Sequence, residues 1–360
     1  MVKRVMVLAG GTGGHVFPAL AVAQHLLSEG HQVSWIGTQK GIEWRILPNH
    51  PDIKTNWLGV TGLRGKGLSQ KIKAPWMLLK ALFQSVRVLL KEKPNVVLGM
   101  GGFVSGPAGL AAWMLRIPLV LHEQNRIPGT TNRMLSRLAV QVMQAFDGTF
   151  PNQIKPLTVG NPLRDEIARL STHNKNYDPG RALRILIVGG SLGAKVLNEI
   201  VPEALSKLNF GLEVVHQTGT LMLEETEKRY ETFNVSAEVK PFLDDIAKSY
   251  LWADIAICRA GAMTVSELAI FGLPALLIPY PFAIDDHQTA NAKYLADKGA
   301  AYLLPQSEFD SESLASVLRR FVSERDLLAK MSSQARLLAN PTSTRTVADI
   351  CLKKAKKTES

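Results

Sequence analysis

The sequence predicts an α/β protein made of two doubly wound units, each a parallel sheet with helices on both faces. Three observations predict it. The chain has 360 residues, more than one ordinary core organises. Short apolar runs alternate with helix-period segments along its length. The strand, glycine turn and helix that open the chain at Arg4 begin again at Arg184.

The first half starts with an apolar strand, Arg4 to Ala9, and then Gly10-Gly11-Thr12-Gly13-Gly14-His15. Val16, Ala19, Leu20, Ala23, Leu26 and Leu27 follow on one helix face, and Gly30 suits the stop. Further strands are expected at Gln32–Ile36, Val96–Gly99, Leu119–His122 and Val140–Gln144. Their near-continuous apolar character marks a parallel sheet buried on both faces. In the second half, the strand Arg184–Val188 leads into Gly189-Gly190-Ser191-Leu192-Gly193-Ala194 and a helix from Lys195 to about Lys207. Strands are then expected at Glu213–His216, Ala237–Lys240, Ile255–Cys258 and Ala275–Ile278. Val159-Gly160-Asn161-Pro162 ends the first regular pattern, which divides the chain into domains 1–161 and 162–341. A last helix, about Ser343 to Lys356 within 342–360, follows Asn340-Pro341 and is expected to pack back on the first domain. Ligands of open α/β sheets bind outside the carboxyl ends of the strands, so the site is expected in a cleft between the domains.

Composition excludes several classes. Hydrophobic residues at 46% and charged residues at 20% describe a globular protein. The two cysteines, Cys258 and Cys351, have neither disulfide-framework nor metal-site spacing and fit a reducing compartment. The opening MVKRVMVLA imitates a leader peptide, but its apolar run is short and the glycine turn interrupts it. Residues 96–115 carry no charge and are long enough to span a bilayer, but five glycines and Pro107 make them strand, turn and helix. Charge is uneven: residues 1–162 hold 18 Lys and Arg against 6 Asp and Glu, whereas the rest hold 24 against 25. One basic half suggests a surface turned toward something anionic. A nucleic-acid partner would explain the net charge of +11 but not the neutral second half, and none is expected.

Three glycine-rich turns follow strands: AGGTGGH at 9–15, GMGGFVSGP at 99–107 and VGGSLGA at 188–194. Glycine lets backbone N–H groups approach an anion, and a helix N-terminus adds a favourable dipole, so each turn suits a phosphate. None is a dinucleotide fingerprint or a P-loop. A fourth turn is Cys258-Arg259-Ala260-Gly261, which opens a helix at Ala262-Met263-Thr264-Val265-Ser266-Glu267. A carboxylate there suits two vicinal ribose hydroxyls; the plainer reading is an acidic residue favoured by the helix dipole. Downstream, Asp286-His287-Gln288-Thr289-Ala290-Asn291-Ala292 offers two amides, Gln288 and Asn291, able to fix sugar hydroxyls.

Taken in order, GGTGGH, GMGGFVSGP, HEQN at 122–125, GNPLR at 160–164, GGSLGA, CRAGAMTVSE and DHQTANA resemble the bacterial undecaprenyl-diphospho-muramoylpentapeptide N-acetylglucosaminyltransferases, the MurG family. The resemblance runs from Gly10 to about residue 345. It implies a GT-B fold, with two Rossmann-like domains facing a deep cleft. It implies an inverting transfer of N-acetylglucosamine from UDP-N-acetylglucosamine to the 4-hydroxyl of lipid I, giving lipid II. The family's acceptor domain is N-terminal and its donor domain C-terminal. Carried over by motif, Glu267 would hold the ribose, within a donor stretch Ala262, Met263, Thr264, Val265, Ser266 and Glu267. Ser191 and the 190–193 backbone would hold diphosphate, as would Thr12, Gly13 and Gly14, with Arg164 nearby. The Ile246 backbone would meet uracil, and Asn125 and Gln288 the N-acetylglucosamine. The resemblance further implies a peripheral enzyme on the cytoplasmic face of the bacterial plasma membrane, with other cell-wall enzymes as partners. The rival enzymes are other GT-B sugar-nucleotide proteins, such as a glycolipid synthase or a UDP-sugar epimerase.

Inversion needs a base for the acceptor proton and stabilisation of the departing UDP. His15, at the end of the first glycine turn, is one candidate base, and Glu123 in HEQN is the other. No Asp-x-Asp occurs, so neither a metal nor a cofactor is implied. Finally, the stretch 64–93 interleaves Arg64, Lys66, Lys71, Lys73, Lys80, Arg87, Lys91 and Lys93 with Trp76, Met77, Leu78, Leu79, Leu82 and Phe83. That mixture suits an anionic membrane surface, and it also suits an amphipathic helix with snorkelling lysines.

Overall fold

A computed structural model describes residues 1–59, 68–170, 175, 177, 178, 180–190 and 193–356. It divides into two compact units: residues 1–165 with 342–360, and residues 166–341.

The first unit runs β1 (Arg4–Ala9), α1 (Gly13–Ser28), β2 (Gln32–Thr38), α2 (Glu43–Ile46), β3 (Lys54–Leu58), α3 (Leu68–Glu92), β4 (Val96–Gly101), α4 (Ser105–Met114), β5 (Leu119–Glu123), α5 (Thr130–Leu135), β6 (Gln141–Gln144) and β7 (Leu157–Thr158). All neighbouring strands are parallel, in the order β3-β2-β1-β4-β5-β6-β7. Alternate residues of β1 feed opposite faces, as the two-residue period of a strand requires. Val5 and Val7 join Val16, Ala19, Ala23 and Leu26 of α1 in one core. Met6 and Leu8 join Ala81 and Leu89 of α3 and Ala108, Ala111 and Ala112 of α4 in the other. The charge-free run at 96–115 is indeed strand, turn and helix.

After a short α6 (Asp165–Arg169), the second unit runs β8 (Leu183–Val188), α7 (Lys195–Ser206), β9 (Leu212–Gln217), α8 (Leu223–Thr232), β10 (Glu238–Lys240), α9 (Ile246–Trp252), β11 (Ile255–Cys258), α10 (Ala262–Phe271), β12 (Ala275–Leu277), α11 (His287–Ala296), β13 (Ala301–Leu303), α12 (Ser311–Ser323) and α13 (Arg325–Leu337). Its sheet is also wholly parallel, in the order β10-β9-β8-β11-β12-β13. Ile185, Ile187, Ile255 and Ile257 meet Leu197 and Val201 of α7 and Leu314 and Leu318 of α12.

The final helix, α14 (Ser343–Lys354), belongs to the first unit. Its Val347, Ala348 and Cys351 complete the core beneath α1. The division falls at 165/166, four residues beyond the 161/162 expected from Gly160-Asn161-Pro162. Leu163 is tied into the first unit by a hydrogen-bonded pair across 181 residues. Leu163 N donates to Thr344 Oγ1 (3.0 Å), whose hydroxyl donates to Leu163 O (2.6 Å).

In both sheets the strand order reverses beside the first strand, between β1 and β4 and between β8 and β11. That reversal makes the loops after these four strands the natural binding loops. They are the four glycine turns found in the sequence. No helix among the described residues is long and apolar enough to cross a membrane.

Candidate active site

In the first unit, α1 opens at Gly13, directly after Thr12. The first-turn amides of an α-helix lack intrahelical partners, so Gly13 and Gly14 offer N–H groups to an anion. Gly11 does not, because its N–H donates to Glu43 Oε2 (2.9 Å). Glu43 is fully buried, and its Oε1 accepts from Thr38 N (2.9 Å) and Thr38 Oγ1 (2.8 Å). One carboxylate thus ties the turns after β1 and β2 together. The turn after β4 lies against the turn after β1. A side chain on Gly102, with φ of +85°, would strike the backbone of Gly10.

His15 follows from the same turn and packs on Gly101. Its Nδ1 lies 2.8 Å from Gln124 Oε1. Gln124 Nε2 lies 3.1 Å from His122 Nδ1, and His122 Nε2 lies 2.8 Å from the carbonyl of Gly160. A carbonyl only accepts, so His122 donates from Nε2 and accepts at Nδ1. Gln124 therefore donates to His122 and accepts from His15. The neutral His15 ring must carry its proton on Nδ1, which leaves the lone pair on Nε2. Burial pushes His122 down to about 4, against the opposing hydrogen bond to Gly160, so it stays neutral. The HEQN and GNPLR motifs meet here. Asn161 Nδ2 also donates to Gln124 O (3.1 Å).

Glu123 has a different place from the one expected of a base. It is buried, and both oxygens are filled. Oε1 accepts from Asn125 N (3.0 Å) and Nδ2 (3.3 Å), and Oε2 from Gly129 N (3.1 Å) and Asn132 Nδ2 (2.9 Å). Four donors fill the carboxylate and favour a structural role in holding the 123–132 turn. Asn125 is half-buried beside it, and Arg164 is exposed.

In the second unit, Gly193 sits against Thr218, whose carbonyl would block any side chain there. Ser191 and Leu192 of this turn lie outside the described residues. Gln217 clamps the turn: Nε2 donates to Gly190 O (2.9 Å) and Oε1 accepts from Leu243 N (3.0 Å), just before Ile246. At the turn after β11, Gly261 caps α10, and Ala262 and Val265 are buried in the packing. Val265 N donates to Gly261 O (2.9 Å). Met263, Thr264, Ser266 and Glu267 are half-buried, and Ser266 donates to Ala262 O (2.9 Å). Glu267 is the sixth residue of α10, beyond the first turn where the helix dipole acts most strongly. A donor that the sequence did not reveal meets it instead, the hydroxyl of Tyr250 on α9, 3.0 Å from Oε2. Cys258 at the end of β11 is buried, and burial followed by the Glu267 charge pushes its thiol up to about 12.

Gln288 Oε1 accepts from Tyr280 N (2.9 Å), which turns its amide nitrogen away from that backbone. Arg259 holds the same loop, donating to the carbonyls of Ile278 (3.1 Å) and Pro279 (3.2 Å) and lying over the Tyr280 ring. Asp285 and Asp286, just before α11, both adopt left-handed backbone, strain of the kind found at functional loops. Asn291, the second amide expected to fix sugar hydroxyls, is fully buried and donates to Ala260 O (3.2 Å). Among the described residues no group of three or more His, Cys, Asp or Glu is placed to hold a metal ion. Sequence reading missed the roles of Glu43, Gln217 and Arg259 in holding loops, of Gln124 in holding His15 and of Tyr250 in meeting Glu267.

Two Rossmann-like units in one chain, each with glycine turns at its switch point, define the GT-B fold class. Comparison with known proteins narrows this. The N-terminal domain of glycosyltransferase family 28 matches residues 5–144, and its C-terminal domain matches residues 184–349. The chain belongs to that family. A UDP-N-acetylglucosamine–N-acetylmuramyl-(pentapeptide) pyrophosphoryl-undecaprenol N-acetylglucosamine transferase of Methylococcus capsulatus is 52% identical over 358 residues, covering 99% of both chains. The protein of the same name from Pseudomonas paraeruginosa is 49% identical, covering 99% of this chain and 100% of that one. The crystal structure of MurG from Acinetobacter baumannii superposes with a TM-score of 0.84 at 43% identity, covering 98% of this chain and 99% of that one.

Proposed function

We infer that this chain is an inverting transferase that moves N-acetylglucosamine from UDP-N-acetylglucosamine to the muramyl 4-hydroxyl of lipid I, giving lipid II for peptidoglycan synthesis. The observation that carries the reading is the near-complete match, at about half identity, to transferases of that name. Nothing in the site favours an epimerase or a glycolipid synthase.

The second unit is the donor-binding half in this reading. Glu267 accepts the two ribose hydroxyls, the Ile246 backbone meets uracil, and Gln288 meets the sugar. Thr12, Gly13, Gly14, the 190–193 turn with Ser191, and Arg164 neutralise the diphosphate. Asn125 meets the N-acetylglucosamine, and the first unit takes the acceptor. The acceptor oxygen attacks the anomeric carbon opposite the diphosphate. A β1→4 bond forms, the bond from that carbon to the diphosphate oxygen breaks, and UDP leaves with the electron pair. The acceptor proton passes to His15 Nε2, the ring nitrogen left unprotonated by the Gln124 hydrogen bond. Helix-end amides and Arg164 stabilise the charge growing on UDP.

The enzyme works at the cytoplasmic face of the plasma membrane as a peripheral protein. Support comes from α3 and α4, which expose Trp76, Leu79, Phe83, Leu90, Trp113 and Met114. Lys80, Arg87, Lys91 and Lys93 are exposed in and after α3. Exposed aromatic residues among basic ones fit an anionic lipid surface. The activity is tested by UDP release from UDP-N-acetylglucosamine with and without a lipid I analogue. Release that depends on the acceptor is expected; absence of acceptor-dependent release would overturn the reading.

A further inference from the structure

A carboxylate recognises a vicinal diol best when both its oxygens are held in the plane of the two hydroxyls. A glutamate on a half-buried helix face turns about its last side-chain bond unless something holds it. In this chain the hydroxyl of Tyr250 donates to Glu267 Oε2 at 3.0 Å. Tyr250 is itself rigid. It is 2% exposed, its ring lies 5.3 Å from that of Phe271, and its carbonyl accepts from Lys175 Nζ (2.7 Å). Phe271 ends the helix that carries Glu267, so the tyrosine is fixed to both α9 and α10. Its hydroxyl points at the Glu267 carboxylate, each oxygen of which accepts about two hydrogen bonds.

We propose that Tyr250 is a positioning residue for nucleotide recognition, its hydroxyl orienting Glu267 so that the carboxylate selects a ribose over a 2′-deoxyribose donor. The inference rests on the reading of Glu267 as the ribose-binding group. Tyr250 touches no substrate. It narrows the rotation of Glu267 and so sets the plane that the carboxylate offers to the two sugar hydroxyls. The gain is preorganisation: the ordering that ribose binding would otherwise require is already complete in the free protein.

The test compares kcat and KM for UDP-N-acetylglucosamine and its 2′-deoxyribose analogue in four proteins: wild type, Tyr250→Phe, Glu267→Ala and the double variant. Phenylalanine keeps the ring packing, so Tm should stay close to wild type. Tyr250→Phe should raise KM for the ribose donor about tenfold, the scale of a lost hydrogen bond to a charged group. Its kcat should change by less than about twofold, and its preference for the ribose donor should shrink with the rise in KM. Glu267→Ala should abolish that preference, and adding Tyr250→Phe to it should do nothing more. If Tyr250→Phe keeps the wild-type preference while Glu267→Ala loses it, Tyr250 merely packs, and the ribose assignment stands without it. An equal rise in KM for both donors would overturn the proposal in the same way. If Glu267→Ala keeps the wild-type preference, the ribose assignment itself fails, and this inference falls with it.

Discussion

The hydrogen-bond chain from His15 to Gly160 decides what a mutation in it does. Gln124 accepts from His15 Nδ1 and donates to His122, and that polarity keeps the His15 lone pair on Nε2. A glutamate at position 124 would place a negative charge against the same ring nitrogen and favour the imidazolium. A base must be neutral, so Gln124→Glu should move the acidic limb of kcat to higher pH by about one unit or more. His15→Ala should lower kcat by about 10²–10⁴-fold and remove that limb, with donor affinity changed much less. Unchanged pH profiles of kcat in both variants would take the proton transfer away from His15. None of this chain except His15 stood out in the sequence. Gln124 read as one letter of a motif, and its role depends on a partner 109 residues away. Glu43 is a sharper case. It sits in a short charged segment that reads as surface, yet it is fully buried because three donors from two turns converge on it.

Among elements, the fully buried strands were the legible ones. β1 and β11 have the bounds their apolar runs predict, because every residue of a central parallel strand faces a core. β3 was missed: Lys54-Thr55-Asn56-Trp57-Leu58 is an edge strand with only Leu58 buried, so it carries no apolar run. β7 and β13 were missed for a related reason, since they have two and three residues and lie at the far edges of their sheets. The helix in the 64–93 stretch is α3, although Arg64 and Lys66 lie outside the described residues. Its inward residues, Ala81, Ser85 and Leu89, recur every fourth position and pack on the sheet. The outward Trp76, Phe83 and Leu90 recur every seventh and meet no core, which a merely structural helix does not require. Reversing Lys80 and Arg87 to Glu should weaken binding to anionic vesicles by about 1 kcal/mol or more per residue and flatten its salt dependence. Trp76→Ser with Phe83→Ser should remove the part of binding that survives high salt. Wild-type vesicle binding in both variants at low salt would reduce α3 to an ordinary packing helix.

At the scale of the molecule, the repeated architecture was visible because glycine turns follow the first strand of each sheet, where the strand order reverses. The Leu163–Thr344 pair, which holds the end of GNPLR against the last helix, joins residues far apart in sequence and left no sequence signal. The two units share one further property. Each buries a neutral histidine in its polar interior. His122 in the first is pushed down to about 4, and His216 in the second to about 3, both by burial. His216 spans Tyr230 OH (2.9 Å) and Asn198 Oδ1 (3.1 Å), which leaves no room for a counter-ion. In the unfolded chain both rings take up a proton near pH 6.5. Between that pH and the folded values the unfolded state binds more protons, so stability must fall as pH falls. The contribution is fully present above about pH 6.5 and declines below it. By pH 5 each ring should have cost on the order of 2 kcal/mol, before most carboxylates begin to titrate. Urea unfolding followed from pH 7.5 to 5 should therefore show a loss of roughly 4 kcal/mol in total, shared by the two units. Replacing His216 by Gln should roughly halve that slope whatever it does to absolute stability. A wild-type curve that stays flat over this range would mean that the two imidazoles are not held neutral by burial.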